Sequence, residues 1–305
     1  MSLQARIVRF AVRVSTKNRI ARAVGRPDFV ARYRATLDRM RGTFGRVQRG
    51  VRCTGAALPS GLRGEWMVPE NAGDRALLYL HGGGYVACSP AHYRSLTSAL
   101  AAACAARVLV PDYRLAPEHP FPAALDDAIA AYDLLLAGGA DPAGVVVAGD
   151  SAGGGLALSL LLALRDARRP MPAGAVLLSP WVDLSSSSPS IARNARSDDV
   201  VAFDESHALA RAYAGSRRLE DAAVSGLFAD LHGLPPLLVH ASRIEMLCDE
   251  AVRLVERAQS SGVDARLRLF DGVHHVWQLC TYLPEARASI AEVALFANQV
   301  APRRI

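Results

Sequence analysis

The stretch Val145-Val146-Val147-Ala148-Gly149-Asp150-Ser151-Ala152-Gly153 decides how this chain is read. A short apolar run stops at Gly-Asp-Ser-Ala-Gly, and residues 155–165 then have the composition of a helix. Strand, tight turn and helix in that order give G-x-S-x-G the context of a strained elbow that presents a serine. Glycines flank the turn because side chains there would collide, and the strain turns Ser151 Oγ into the open at a helix N-terminus, where backbone dipoles favour developing negative charge.

On either side of the elbow, apolar runs at 76–80, 107–110, 174–179, 236–240 and 265–270 alternate with helix-like segments at 92–106, 121–137, 249–260 and 284–298. Continuous apolar strands alternating with helices predict a mostly parallel central sheet covered by helices on both faces. Ligands of such sheets gather at the carboxyl ends of the strands. A second glycine cluster, His81-Gly82-Gly83-Gly84-Tyr85, follows the 76–80 run at that end. Consecutive glycines let backbone N–H groups approach an oxyanion, so Gly83 and Gly84, with the amide of Ala152, are expected to form an oxyanion hole. A phosphate cradle is excluded by the glycine spacing and the missing lysine.

Composition removes other classes. The chain has 305 residues, 51% hydrophobic and 21% charged, enough for a large core and unlike a disordered chain. No apolar window is long enough to span a membrane, and residues 1–10 lack the features of a secretory leader, so a cytoplasmic location is expected. Five scattered cysteines without CxxC spacing argue against a disulfide framework or a zinc ribbon. Lys17 is the sole lysine, which excludes Schiff-base chemistry and P-loop nucleotide binding. The charge is segregated: residues 1–52 hold 14 Lys/Arg against Asp28 and Asp38, while the remainder is mildly acidic. Leu3, Ile7, Phe10, Ala11 and Val14 form an apolar stripe on a basic helix, with a second helix expected over 28–40. The reading preferred here lays that stripe on the protein's own body, with no nucleic-acid contact; an anionic membrane surface is the alternative.

The two glycine motifs, with Pro111-Asp112-Tyr113-Arg114-Leu115-Ala116-Pro117-Glu118, Ser179-Pro180-Trp181 and Gly233-Leu234-Pro235-Pro236 in the same order, make residues 60–300 resemble the hormone-sensitive-lipase-like esterases of the α/β-hydrolase fold. The resemblance implies an α/β-hydrolase core at 51–184 and 219–305, with a helical cap from residues 1–50 and an insertion at 185–218. It also implies a serine, acid, histidine order along the chain. Family spacing selects His275 over His274 as the base, since it stands three residues after Gly272. The acid departs from the family pattern: Glu245-Met246-Leu247-Cys248-Asp249-Glu250 puts Glu245 at the catalytic position, with Asp249 as its rival. His81, upstream of the serine, is expected to hold its loop, and Asp150 to serve loop geometry. Asp112, Tyr113, Arg114 and Glu118 are expected to form one network beside the site.

The implied activity is hydrolysis of short- to medium-chain acyl esters, small molecules, with neither metal nor organic cofactor. An amidase using the same residues and a non-enzymatic ligand receptor on this fold are the alternatives. Dimerisation through the edge strand at 265–270 recurs in the family, and stable membrane insertion is not expected.

Overall fold

Val145 and Val147 pack into one hydrophobic core while Val146 and Ala148 pack into another. Ala76, Leu78 and Leu80 divide from Leu77 and Tyr79 in the same way. Side chains alternate across a strand, so a run that is apolar at every position needs a cover on both faces. The computed structural model describes residues 1–58 and 61–302 and supplies both covers. The strands are β1 (Val51–Ala57), β2 (Arg63–Pro69), β3 (Ala76–Leu80), β4 (Arg107–Pro111), β5 (Val145–Asp150), β6 (Gly174–Leu178), β7 (Leu237–Ser242) and β8 (Ala265–Phe270). They form one sheet in the order β1-β2-β4-β3-β5-β6-β7-β8, parallel from β4 through β8, with β2 antiparallel to both its neighbours. This is the expected α/β-hydrolase arrangement, with β1 and β2 added at one edge.

The helices are α1 (Leu3–Val12), α2 (Asn18–Ala21), α3 (Phe29–Asp38), α4 (Arg41–Phe44), α5 (Pro90–Cys104), α6 (Ala123–Ala137), α7 (Ala152–Asp166), α8 (Ser190–Arg193), α9 (Phe203–Ala214), α10 (Cys248–Ser260) and α11 (Pro284–Val300). Leu96 and Leu100 of α5 and Val293 and Phe296 of α11 join the core on one side of the sheet. Ala128 of α6, Leu160 of α7 and Leu254 of α10 join the other, which also takes in Tyr33 of α3 and Leu209 of α9. Guanidinium contacts tie the basic N-terminal segment down. Arg34 reaches the Val86 and Ala116 carbonyls and the Glu118 carboxylate, and Arg9 and Arg13 reach Asp199.

The placement of α1 reverses one expectation. Its buried face is Ala5, Val8 and Val12, packed with Phe270, Val273 and Trp277 or lining the central cavity. The stripe read as core-facing points to water instead: Leu3 is 69%, Ile7 61%, Phe10 71% and Val14 50% exposed. Small side chains let the helix approach closely, and polar ties set its rotation. Ser2 N–H and Oγ donate to Glu285 at 2.5 and 3.0 Å, and Arg9 Nε donates to Asp199 at 2.5 Å.

Candidate active site

Strands β3 and β5 lie side by side and parallel, with Leu80 opposite Gly149, so their two glycine-rich loops emerge together. At the elbow Ser151 has φ 52° and ψ −123°, a conformation that costs an L residue on the order of 1–3 kcal/mol. Its neighbours hold it there: Ser151 N–H donates to the Leu178 carbonyl at 2.9 Å, and its carbonyl accepts from Trp181 at 2.9 Å and Gly155 at 3.1 Å. Glycine is required at 153 because a Cβ there would overlap the Leu80 and His81 carbonyls. Sequence context and backbone geometry agree on this turn.

Three side chains separated widely along the chain meet at this point. Ser151 Oγ lies 2.9 Å from His275 Nε2, and His275 Nδ1 lies 2.8 Å from Glu245 Oε2. The other Glu245 oxygen accepts from Ser242 N–H at 2.7 Å, so the carboxylate is held by the turn that follows β7. Burial disfavours the His275 cation, but the hydrogen bond and charge of Glu245, with Asp198 and Asp150 beyond, outweigh it and hold the imidazole pKa above its ordinary value. With its proton on Nδ1 facing the carboxylate, the imidazole accepts from the serine hydroxyl through Nε2.

Asp249 stands elsewhere. It pairs with Arg193 through oxygens at 2.6 and 2.9 Å, in the first turn of α10. His274 is buried beside the same cavity, its pKa driven down to about 3 by burial, and no contact joins it to Ser151 among the described residues.

The glycine loop faces the serine. Gly83 and Gly84 have φ of 113° and 65° and line the cavity with Ser151. Among the described residues, the N–H groups of Gly83, Gly84 and Ala152 have no acceptor, leaving three donors free beside the hydroxyl. His81 does hold its loop, with Nδ1 2.8 Å from the Gly82 carbonyl and its ring stacked on Tyr113 at 4.2 Å. Burial lowers its pKa to about 4, so the ring is neutral.

Asp150 joins the two loops. Its carboxylate accepts from Tyr79 Oη at 2.7 Å, Tyr93 Oη at 3.0 Å and Gly82 N–H at 3.0 Å. Sequence reading assigned Asp150 to loop geometry but missed both tyrosines, which lie on β3 and α5. It also missed Glu250, whose buried Oε2 accepts from Val182 and Asp183 N–H at 2.6 and 2.9 Å and anchors the loop after β6.

The expected network of Asp112, Tyr113, Arg114 and Glu118 does not exist as one unit. Tyr113 Oη donates to the His81 carbonyl at 2.6 Å, Arg114 binds Asp127, and Glu118 binds Arg34 of α3. The exposed Asp112 has no side-chain hydrogen bond among the described residues. Successive residues on an extended segment point in different directions, so adjacency in sequence did not make them partners.

The cavity over Ser151 has an accessible volume of about 120 Å³ and opens to solvent. Val12, Met40, Phe44, Val201 and Leu209 give it an apolar wall contributed by α1, α4, α9 and the segments beside them. Among the described residues, no group of three His, Cys, Asp or Glu side chains is disposed to hold a metal ion.

A family model for the alpha/beta hydrolase fold matches residues 77–279. An acetyl-hydrolase of Streptomyces hygroscopicus is 39% identical over 264 residues, covering 86% of this chain and 88% of the relative. An esterase of Acinetobacter venetianus is 34% identical over 243 residues, covering 79% and 80%. The crystal structure of an esterase from the bacterial hormone-sensitive lipase family superposes with a TM-score of 0.87 at 38% identity, covering 99% of both chains. The chain belongs to the hormone-sensitive-lipase-like carboxylesterases of the α/β-hydrolase family.

Proposed function

We propose that this carboxylesterase acts on short- to medium-chain acyl esters through an acyl-enzyme, with Ser151 as nucleophile, His275 as base and Glu245 as the orienting acid. The observation that carries this reading is the unbroken line from Glu245 Oε2 through the imidazole to Ser151 Oγ, with bonds of 2.8 and 2.9 Å. Ser151 attacks the acyl carbon as His275 Nε2 takes its proton. Glu245 keeps the imidazole in the productive tautomer and stabilises the cation that forms. The N–H groups of Gly83, Gly84 and Ala152 receive the oxyanion; donors fixed by the glycine loop and the elbow need little reorganisation as the charge develops. His275 returns its proton to the departing alkoxide, and water then repeats the sequence on the acyl-enzyme.

The apolar cavity suits an acyl chain of modest length. A series of p-nitrophenyl esters from acetate to laurate, run on the parent and on Ser151→Ala, tests the proposal. An optimum between butyrate and octanoate is expected, with a loss of about 10³-fold or more in the variant. Retained activity in Ser151→Ala, or faster cleavage of the matching anilide, overturns the nucleophile or the ester assignment respectively.

A further inference from the structure

Five of the eight large hydrophobic side chains most exposed to water, among the described residues, belong to one short segment: Met1, Leu3, Ile7, Phe10 and Val14. The helix that carries them is not loosely attached. Ser2 is bonded to Glu285, Arg9 to Asp199 and the Gly272 carbonyl, and Lys17 to the Ala195 and Asp198 carbonyls. The exposed stripe is thus a fixed feature of the folded surface, rotated outward by contacts on the opposite face.

The segment that carries the stripe is itself basic. No acidic residue occurs before Asp28, which is itself engaged by Arg26 and Arg32, and Asp38 faces His92. Arg6 stands beside the stripe, and Arg19 and Arg22 follow it, all exposed and without a carboxylate partner among the described residues. A second copy placed stripe to stripe would bring the unpaired arginines of the two segments toward one another. A surface of anionic phospholipid offers the complement to both features, apolar depth for the stripe and negative charge for its rim.

We propose that α1 and the helical turn that follows it dock the protein onto an anionic lipid surface through Leu3, Ile7, Phe10 and Val14. The inner face of the same segment supplies Val12 and Thr16 to the wall of the cavity over Ser151. Arg9 also bonds the loop that leads to His275. Docking therefore sets the cavity beside the lipid. No helix among the described residues is long and apolar enough to cross a membrane.

Vesicle flotation tests this with phosphatidylcholine alone and with phosphatidylcholine containing about one-third phosphatidylglycerol. The parent is expected to float with the anionic vesicles at least tenfold more than with the neutral ones, and high salt should weaken this. The triple variant Leu3→Ser, Ile7→Ser, Phe10→Ser and the charge variant Arg6→Glu, Arg19→Glu, Arg22→Glu should each lose at least tenfold. None of these residues lines the cavity, so hydrolysis of dissolved p-nitrophenyl butyrate reports that both variants are folded. Failure of the parent to float, or equal flotation of parent and apolar variant, overturns the proposal. A dimer in light scattering that dissociates in the apolar variant, with no vesicle binding, assigns the stripe to a second copy instead and likewise overturns it.

Discussion

Replacing Glu245 by Gln separates the two oxygens of one buried carboxylate. In the parent, one accepts from His275 Nδ1 at 2.8 Å and the other from Ser242 N–H at 2.7 Å. A glutamine has one acceptor oxygen and one NH₂ group, and at full burial it cannot satisfy both neighbours as they stand. If its oxygen stays on Ser242, its NH₂ faces Nδ1, which must become an acceptor. The imidazole proton then sits on Nε2, pointing at Ser151, and cannot receive the serine's proton. A tautomer lost in this way costs about 10⁴ in kcat, near 5.5 kcal/mol at ~1.36 kcal/mol per decade. If the amide flips instead, a donor faces Ser242 N–H, and two buried donors in opposition cost roughly 1–3 kcal/mol. That alternative corresponds to about 5- to 160-fold at ~1.36 kcal/mol per decade and sets the lower bound, so the expected loss in kcat lies between about 5-fold and 10⁴-fold. KM should change little, because Glu245 does not line the cavity.

The pH profile gives an independent sign. Activity requires neutral His275, whose pKa is raised, so the parent's acid limb lies above the ordinary imidazole value of 6.5. Without the carboxylate, burial dominates and the limb should move to lower pH. The assay is kcat and KM for p-nitrophenyl butyrate between pH 5 and 9, with Asp249→Asn as comparison. Asp249 is paired with the half-exposed Arg193, so its variant should stay within about twofold of the parent. A Glu245→Gln enzyme within about twofold of the parent, an unmoved acid limb, or a larger loss in Asp249→Asn would refute the assignment.

Other substitutions probe neighbouring parts of the site. Gly83→Ala introduces a Cβ at φ 113° against the Ala87 carbonyl, so the loop must shift and its N–H lose aim; kcat should fall about 10²–10³-fold with native circular dichroism. Asp150→Ala strands two tyrosine hydroxyls and Gly82 N–H in a buried site, at roughly 1–3 kcal/mol for each group left unpaired, and should lower both the urea midpoint and kcat. Asp150→Asn should keep most of each, because its oxygen can serve Tyr79 and Gly82 while Tyr93 turns to accept from the amide. Burial and the Asp198 charge raise the pKa of Glu205 from 4.5 to about 8. The folded state thus binds the extra proton between those values, and its contribution to stability, full below pH 4.5, is lost as pH rises through about 8. Glu205→Gln should therefore gain on the parent by a few kcal/mol in urea unfolding above pH 8, and the gain should shrink toward pH 5. A pH-independent difference would show that Glu205 is not protonated in the fold.

Much of this molecule was legible one residue at a time. A serine between glycines at the end of a valine run has few structural uses, and three consecutive glycines at a strand's carboxyl end have few others. Those patterns are local, because the elbow and the glycine loop are each specified by backbone sterics within a handful of residues. The strands flanking Ser151 were equally readable, since runs with no polar position demand cover on both sides. The edge hairpin β1–β2 was not, because its mixed exposure has no such signature.

What tertiary structure alone decided concerns choices between near-equivalent candidates. Glu245 and Asp249 sit four residues apart, on the turn after β7 and on the first turn of α10, and either carboxylate suits a histidine. Only the path of the chain past β7 turns Glu245 toward His275 and leaves Asp249 to Arg193. In α1, periodicity identified an apolar stripe, but not whether the protein or the solvent would face it. Glu285 and Asp199, remote in sequence, settle that by gripping Ser2 and Arg9. Backbone sterics act within a few residues and can be read from a string. A hydrogen-bond partner hundreds of residues away cannot, because its direction exists only once the sheet has set where each loop ends.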